Sequence, residues 1–210
     1  MQRIPVALET LIVTEIMRTQ VFLIMKTLIV YGTRYGATAG TAEEIAKVLR
    51  EEGFDIKVVN AKEEKIKDIS EYELVIVGSG LQMFKWTGEA EDFLKKFRND
   101  LAEKKVALFV SSMKQVHERE GRKDELEKAW KRFLEDKATK YGLHPISMGM
   151  FGGVFDYNKM NIITRKAMGA MKQQLEADGF KENPAGVYDT RDWKEICDWA
   201  KNLVLKARYL

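Results

Sequence analysis

The stretch Thr27-Leu28-Ile29-Val30-Tyr31-Gly32-Thr33-Arg34-Tyr35-Gly36-Ala37-Thr38 decides the fold. Its first part is uncharged and rich in β-branched residues, which predicts a strand over residues 28–32. The next segment, 38–51, carries Ala42, Ile45, Ala46 and Leu49 at helical spacing, with Gly53 to close it. Thr41 and Glu44 have the spacing of a capping box, which offers a second start for this helix. A strand that turns straight into a helix aims unpaired backbone N–H groups and a positive dipole end at one spot, where an anion is stabilised. Gly36 allows the tight turn. Thr33 and Thr38 supply hydroxyls, and Arg34 adds charge. The Lys of a nucleoside-triphosphate loop is missing, and the spacing of Gly32 and Gly36 does not make a dinucleotide fingerprint. A Gly/Thr turn without a ligand is the other reading of these residues taken alone.

Outward from this stretch, apolar runs of strand length alternate with helical patterns. Strands are expected at 55–59, 74–78, 106–111 and 146–151. Helices are expected after Thr87, with Phe93, Leu94 and Phe97 inward, and at 123–141, 157–175 and 190–205. In the second of these, Leu126, Trp130, Phe133 and Leu134 point inward and Gly142 is the stop. Continuous apolar strands imply burial on both faces, hence a parallel sheet. The expectation is an α/β fold, a doubly wound five-stranded parallel sheet of order 2-1-3-4-5 with helices on both faces. A ligand then sits beyond the carboxyl ends of the first, third and fourth strands.

Composition narrows the function. Among 210 residues there are one Cys and two His, too few for a disulfide scaffold or a Cys/His zinc site, so no metal is expected. Net charge is +3, with both signs alternating along helical faces, which is no nucleic-acid signature. Residues 1–24 form a leader distinct from the domain at 25–210. Ile4, Leu8, Leu11, Ile12 and Ile16 have helical spacing, while Glu9, Glu15 and Arg18 break any apolar run. The leader reads as an extra helix or an upstream translation start, neither a membrane span nor an export signal. Cys197, beside Trp193 and Ile196, reads as a buried reduced thiol. The expected location is cytoplasmic.

A strand followed by T-x-x-G-x-T and a helix, here Thr33 to Thr38, resembles the FMN phosphate loop of flavodoxins, and the resemblance extends over roughly residues 25–205. It implies a flavodoxin-like fold, FMN as cofactor, and phosphate contacts from Thr33, Arg34, Tyr35, Gly36, Ala37 and Thr38. Tyr35 and Ala37 stand where Thr and Asn are common, so binding leans on backbone N–H groups, Thr33 and Thr38. The next loop, Ser79, Gly80, Leu81, Gln82, Met83, Phe84 and Trp86, would hold the flavin ring, its apolar members forming a slot and Gly80 presenting backbone groups. Phe84 and Trp86 capping the sheet edge is the other reading. Ser111, Ser112, Met113 and Lys114 would meet the ring's carbonyl edge. His117 is a candidate proton relay, or a surface-loop histidine.

The 157–175 segment carries Lys159, Arg165, Lys166 and Lys172 without an acid, and Met160, Ile163, Ala167 and Met171 share one helical face. It packs on the sheet or meets lipid, a quinone or an anionic substrate. The Thr33-to-Thr38 loop, Gly78-Ser79 followed by aromatics, Tyr157 with its Met-rich sequel, and Tyr188-Asp189-Thr190 with Asp192-Trp193 resemble the menaquinone-dependent protoporphyrinogen dehydrogenases. That resemblance implies an oxidoreductase acting on protoporphyrinogen or a related reduced substrate, a quinone acceptor, Lys114, Arg165 and Lys166 steering propionates, and contact with the inner face of the membrane. The alternative is an electron-transfer protein with a redox protein partner. A flavodoxin-like interaction protein that has lost FMN is disfavoured by Thr33, Gly36 and Thr38.

Overall fold

The computed structural model describes residues 24–82, 84–159, 166 and 169–210. Strands β1 (Lys26–Gly32), β2 (Asp55–Asn60), β3 (Leu74–Gln82), β5 (Lys105–Ser111) and β6 (Ser147–Phe151) form a sheet in the order β2-β1-β3-β5-β6, all parallel. This is the expected five-stranded order. Side chains alternate between the faces, and both faces are dry. Leu28 and Val30 of β1 lie in one core, Ile29 in the other, all with no exposure. Phe109 of β5 fills the second core between Phe151 and Trp199.

Helix α1 (Ala37–Glu51) and the long C-terminal helix (Trp193–Tyr209) cover one face. The other face carries α2 (Gly88–Lys96), α3 (Arg98–Ala102) and a helix that runs from Lys123 to Tyr141. That last helix is not uniform: α5 (Lys123–Trp130) passes through a π-helical turn at Lys131–Glu135 into α6 (Asp136–Tyr141). Phe133 and Leu134 are buried as expected, whereas Leu126 and Trp130 are only half-buried.

Several expectations change. Helix α1 begins at Ala37, not Thr41; the Thr41 hydroxyl donates to the Ala37 carbonyl inside the helix, 3.2 Å, instead of capping it. Strand β3 runs on to Gln82 and turns back antiparallel into β4 (Lys85–Trp86), pairing Leu81 with Trp86. The segment after β5 contains a short helix α4 (Lys114–Arg119). The 157–175 helix is not continuous in the described residues: Tyr157–Lys159 is a 3-10 turn and α7 is Gly169–Ala177. The last helix, α8, starts at Trp193, because Asp192 caps it by accepting the Glu195 N–H at 3.0 Å. Residues 1–23, and most of the 160–168 stretch with Met160, Ile163, Arg165 and Ala167, lie outside the described residues.

An unforeseen unit follows β6. Strands β7 (Val154–Asp156) and β8 (Val187–Asp189) pair antiparallel and, with α4 and α7, enclose a small core of Val116, Phe155, Tyr157, Leu175 and Tyr188. Met113 and Tyr35 pack against it.

One ion cluster ties α2 to α6. Glu91 Oε1 accepts from Lys137 Nζ at 3.0 Å, Lys140 Nζ at 2.5 Å and Tyr141 Oη at 3.0 Å. Burial alone would raise the Glu91 carboxyl; the three donors outweigh it and hold the group at about 2, against 4.5 ordinarily. A depressed carboxylate stabilises the fold fully above its unfolded value and loses that contribution as pH falls toward the folded one. Glu91→Gln should therefore cost about 2 kcal/mol at neutral pH, after allowance for its partial exposure. Urea unfolding at stepped pH should also show a shallower stability loss between 4.5 and about 2 than in the parent.

Candidate functional site

Helix α1 opens without a side-chain cap and with no acidic residue in its first turn. Its N-cap, Gly36, sits at φ 92°, a left-handed conformation that a glycine adopts without strain. The Gly36 N–H donates to Thr33 Oγ1 at 3.0 Å, and the Gly40 N–H closes the first helical bond onto the Gly36 carbonyl at 3.2 Å. The first-turn amides of Ala37, Thr38 and Ala39 lack intrahelical acceptors, as at any helix start. Thr38 is 1% exposed, yet its Oγ1 has no partner among the described residues. A buried hydroxyl with nothing to bond costs free energy until something meets it.

A second orphan lies nearby. Ser111 Oγ is also buried without a partner among the described residues. Ser111 pairs with Gly80 across β3 and β5, and a Cβ on Gly80 would come within 3.1 Å of Thr38 Oγ1. Gly80 thus separates the two orphan hydroxyls and leaves the floor beneath the loop open. The arrangement presents backbone N–H groups, a positive helix end and the unsatisfied Thr38 hydroxyl at the carboxyl edge of the sheet, with the Ser111 hydroxyl on the neighbouring strand across Gly80. These are the donors a phosphate monoester requires, and the residues present fit one.

The expected site residues divide. Thr33, Gly36, Ala37 and Thr38 build this cradle; Arg34 is exposed beside it, and Tyr35 packs on the β7–β8 unit. Ser79 is turned inward, its hydroxyl donating to the Gly80 carbonyl at 2.9 Å and accepting the Thr87 N–H at 2.9 Å. Leu81 packs against the first core. Trp86 does not line a slot: it is 5% exposed, and its Nε1 donates to the Phe133 carbonyl at 2.9 Å. Phe84 stands at the hairpin tip, 71% exposed, at φ 61°. Met83 lies outside the described residues, and the Gln82 backbone pairs with Lys85. Ser112 Oγ bonds the Phe151 carbonyl at 3.2 Å and accepts the Lys114 N–H.

Lys114 is not a free cation. Burial would lower it, but Glu118 and Glu195, each 2.7 Å away, raise it and neutralise its charge, so it is poorly placed to steer anions. His117 lies on α4 rather than in a loop, with its Nδ1 buried and unpartnered among the described residues. Cys197 is partly buried; burial and Glu44 push its thiol up, as expected for an inert cysteine.

A cleft of ≈ 490 Å³ lies along the edge strand β6, among Trp130, Met150, Asp192, Lys194 and Trp199. A second, ≈ 390 Å³, is lined by Tyr157, Lys172 and Glu176 of the added unit. Burial, with Glu182 and Glu176, pushes the Tyr157 phenol up to about 12. Among the described residues, no group of three or more His, Cys, Asp or Glu could hold a metal ion, and no helix is long and apolar enough to cross a membrane.

The sequence reading missed Arg191, which reaches the first turn of α1 from beyond β8. It also missed the Asp192 cap, although Asp192 and Glu195 have capping-box spacing.

Comparison with known proteins agrees with the fold. The model of the family described as "Flavodoxin domain" matches residues 28–181. A short-chain flavodoxin associated with a bacterial microcompartment superposes with TM-score 0.55 at 14% identity, covering 87% of this chain and 99% of the other. A flavodoxin from the domain Archaea gives TM-score 0.50 at 15% identity, covering 88% and 100%. At these identities the two structures support the fold.

Proposed function

We propose that this chain, which belongs to the flavodoxin domain family, is an FMN-dependent oxidoreductase that oxidises a reduced small molecule, protoporphyrinogen or a related compound, and hands the electrons to a quinone. FMN is the cofactor of that family, and when bound it supplies the electron exchange. The observation that carries the reading is the uncapped, acid-free start of α1 with the buried, unpartnered Thr38 hydroxyl beneath it.

In this reading the first-turn amides, Thr33 and Thr38 hold the phosphate, and Gly36 keeps the approach open. Gly80, Leu81, Phe84 and residues 111–113 border the ring. Ser111 Oγ, without a partner among the described residues, donates to its polar edge. His117, the candidate proton relay, lies on α4, just beyond the 111–113 segment. The appended β7–β8 unit supports a small-molecule substrate: it rests on Tyr35 of the phosphate loop and carries its own cleft at Tyr157, Lys172 and Glu176. A protein-to-protein carrier has no need of such a wall. Contact with a membrane quinone through residues 157–175 belongs to the same proposal. The likeness to flavodoxins favours a second reading, an electron carrier with a protein partner.

The test begins with the absorbance spectrum of the purified chain with and without added FMN. A bound-flavin spectrum is expected. Anaerobic mixing with protoporphyrinogen should then bleach the flavin, and a naphthoquinone should restore its colour. Flavin uptake without bleaching by any porphyrinogen rejects the substrate and leaves the carrier reading. A chain that takes up no FMN rejects both.

A further inference from the structure

We propose that Arg191 supplies the fixed positive charge of the phosphate site, an inference that rests on the FMN reading above. Arg191 lies 154 residues from the loop, yet its Nη1 donates to the Ala37 carbonyl at 3.2 Å. Two further donors are fixed by one carboxylate: Nε meets Asp189 Oδ1 at 2.9 Å and Nη2 meets Asp189 Oδ2 at 2.6 Å. The guanidinium stacks over Trp193 at 4.2 Å, and the side chain is only 12% exposed. The chain makes room for it: a Cβ on Gly40 would overlap Nη1. A glycine inside a helix costs stability, and here the vacated space is where the guanidinium lies.

The placement opposes ordinary helix electrostatics. A cation beside the N-terminal turn of a helix faces the positive end of its dipole, and this turn has neither an acidic residue nor a side-chain cap to compensate. Asp189 offsets part of that charge and fixes the guanidinium. An anion at the first-turn amides would add a second counter-charge to that of Asp189. A phosphate there would meet the neutral loop donors and a guanidinium set in advance, which answers the loss of side-chain donors at Tyr35 and Ala37. Charge on a rigid, stacked side chain gives binding without the cost of ordering a flexible one.

The experiment titrates the apoprotein with FMN, with riboflavin, which lacks the phosphate, and with inorganic phosphate. Arg191→Gln should weaken FMN by roughly tenfold, leave riboflavin unchanged and flatten the salt dependence of FMN binding. Gly40→Ala, whose methyl displaces the guanidinium, should reproduce the selective loss. Combining the two changes should add nothing further. In the Arg191→Gln background, Gly40→Ala should raise the thermal midpoint, because only helix propensity then remains in play. Equal losses for FMN and riboflavin would mark Arg191 as a structural prop and overturn the proposal, as would no loss at all. If the parent binds neither flavin, the FMN reading fails, and phosphate decides the rest. Thermal protection of the parent but not of Arg191→Gln upholds the anion site; protection of both, or of neither, rejects it.

Discussion

Thr38→Asp should weaken FMN binding by at least about a hundredfold while the apoprotein keeps its fold. Thr38 is the second residue of α1, and its side chain is buried against the place where the phosphate would sit. A carboxylate there stands a few ångströms from a dianion. At ~5 Å and an effective dielectric constant of ~20, each pair of unit charges repels by about 3 kcal/mol, and a hundredfold loss needs only about 2.7 kcal/mol. The same carboxylate gains about 0.3–1 kcal/mol from the start of the helix, which offsets part of the cost of placing a charge where Thr38 is 1% exposed. Riboflavin, which lacks the phosphate, should bind Thr38→Asp as it binds the parent, which damage to the fold could not produce. Thr38→Val separates charge from hydroxyl: it removes a buried group that lacks a partner in the apoprotein, so stability should hold or rise, and FMN should weaken only about tenfold. Flavin fluorescence titration and thermal melts of the three proteins give both readouts. If Thr38→Asp binds FMN as the parent does, the phosphate lies elsewhere.

The loop was legible because its signal is local. An apolar strand, a short Gly/Thr turn and an amphipathic helix follow one another within 25 residues, and each is fixed by its neighbours in sequence. The sheet order was legible because strands buried on both faces carry unbroken apolar runs. What escaped depends on contacts across the chain. Gly78-Ser79-Gly80 has loop composition, but pairing with Phe109, Val110 and Ser111 keeps it in β3. Strands β7 and β8 have three residues each and pair across a gap of about thirty, too short a pattern to announce itself. The π-helical turn changes the face that α5 and α6 present without any proline or glycine to mark it. Arg191 belongs to the loop by folding alone. Composition placed aromatic residues near the ring; only the register of the β3–β4 hairpin distinguishes the one that faces inward from the one that does not.

That distinction gives the second large effect. Trp86→Ala should destabilise the protein by about 3–5 kcal/mol, the range for removing a large buried aromatic side chain, whereas Phe84→Ala should change stability by less than about 0.5 kcal/mol. Both residues are aromatic and two positions apart, so sequence alone gives them one role. In the structure Trp86 is 5% exposed within the first core, and Phe84 is 71% exposed at the hairpin tip. Trp86→Phe isolates the hydrogen bond. It keeps most of the packing but leaves the Phe133 carbonyl, inside the π-helical turn, without the indole N–H at 2.9 Å. An unmet buried acceptor costs about 1–3 kcal/mol, so Trp86→Phe should fall between the other two. Phe84 also holds a left-handed backbone that a non-glycine residue adopts under strain. Phe84→Gly should therefore stabilise the apoprotein by about 1 kcal/mol. Equilibrium urea unfolding orders the four variants. Equal effects from Trp86→Ala and Phe84→Ala would mean that both rings share one environment, as a two-sided slot requires. The expected inequality makes Trp86 the anchor that pins the hairpin to the π-helical turn, and leaves Phe84 exposed at the hairpin tip.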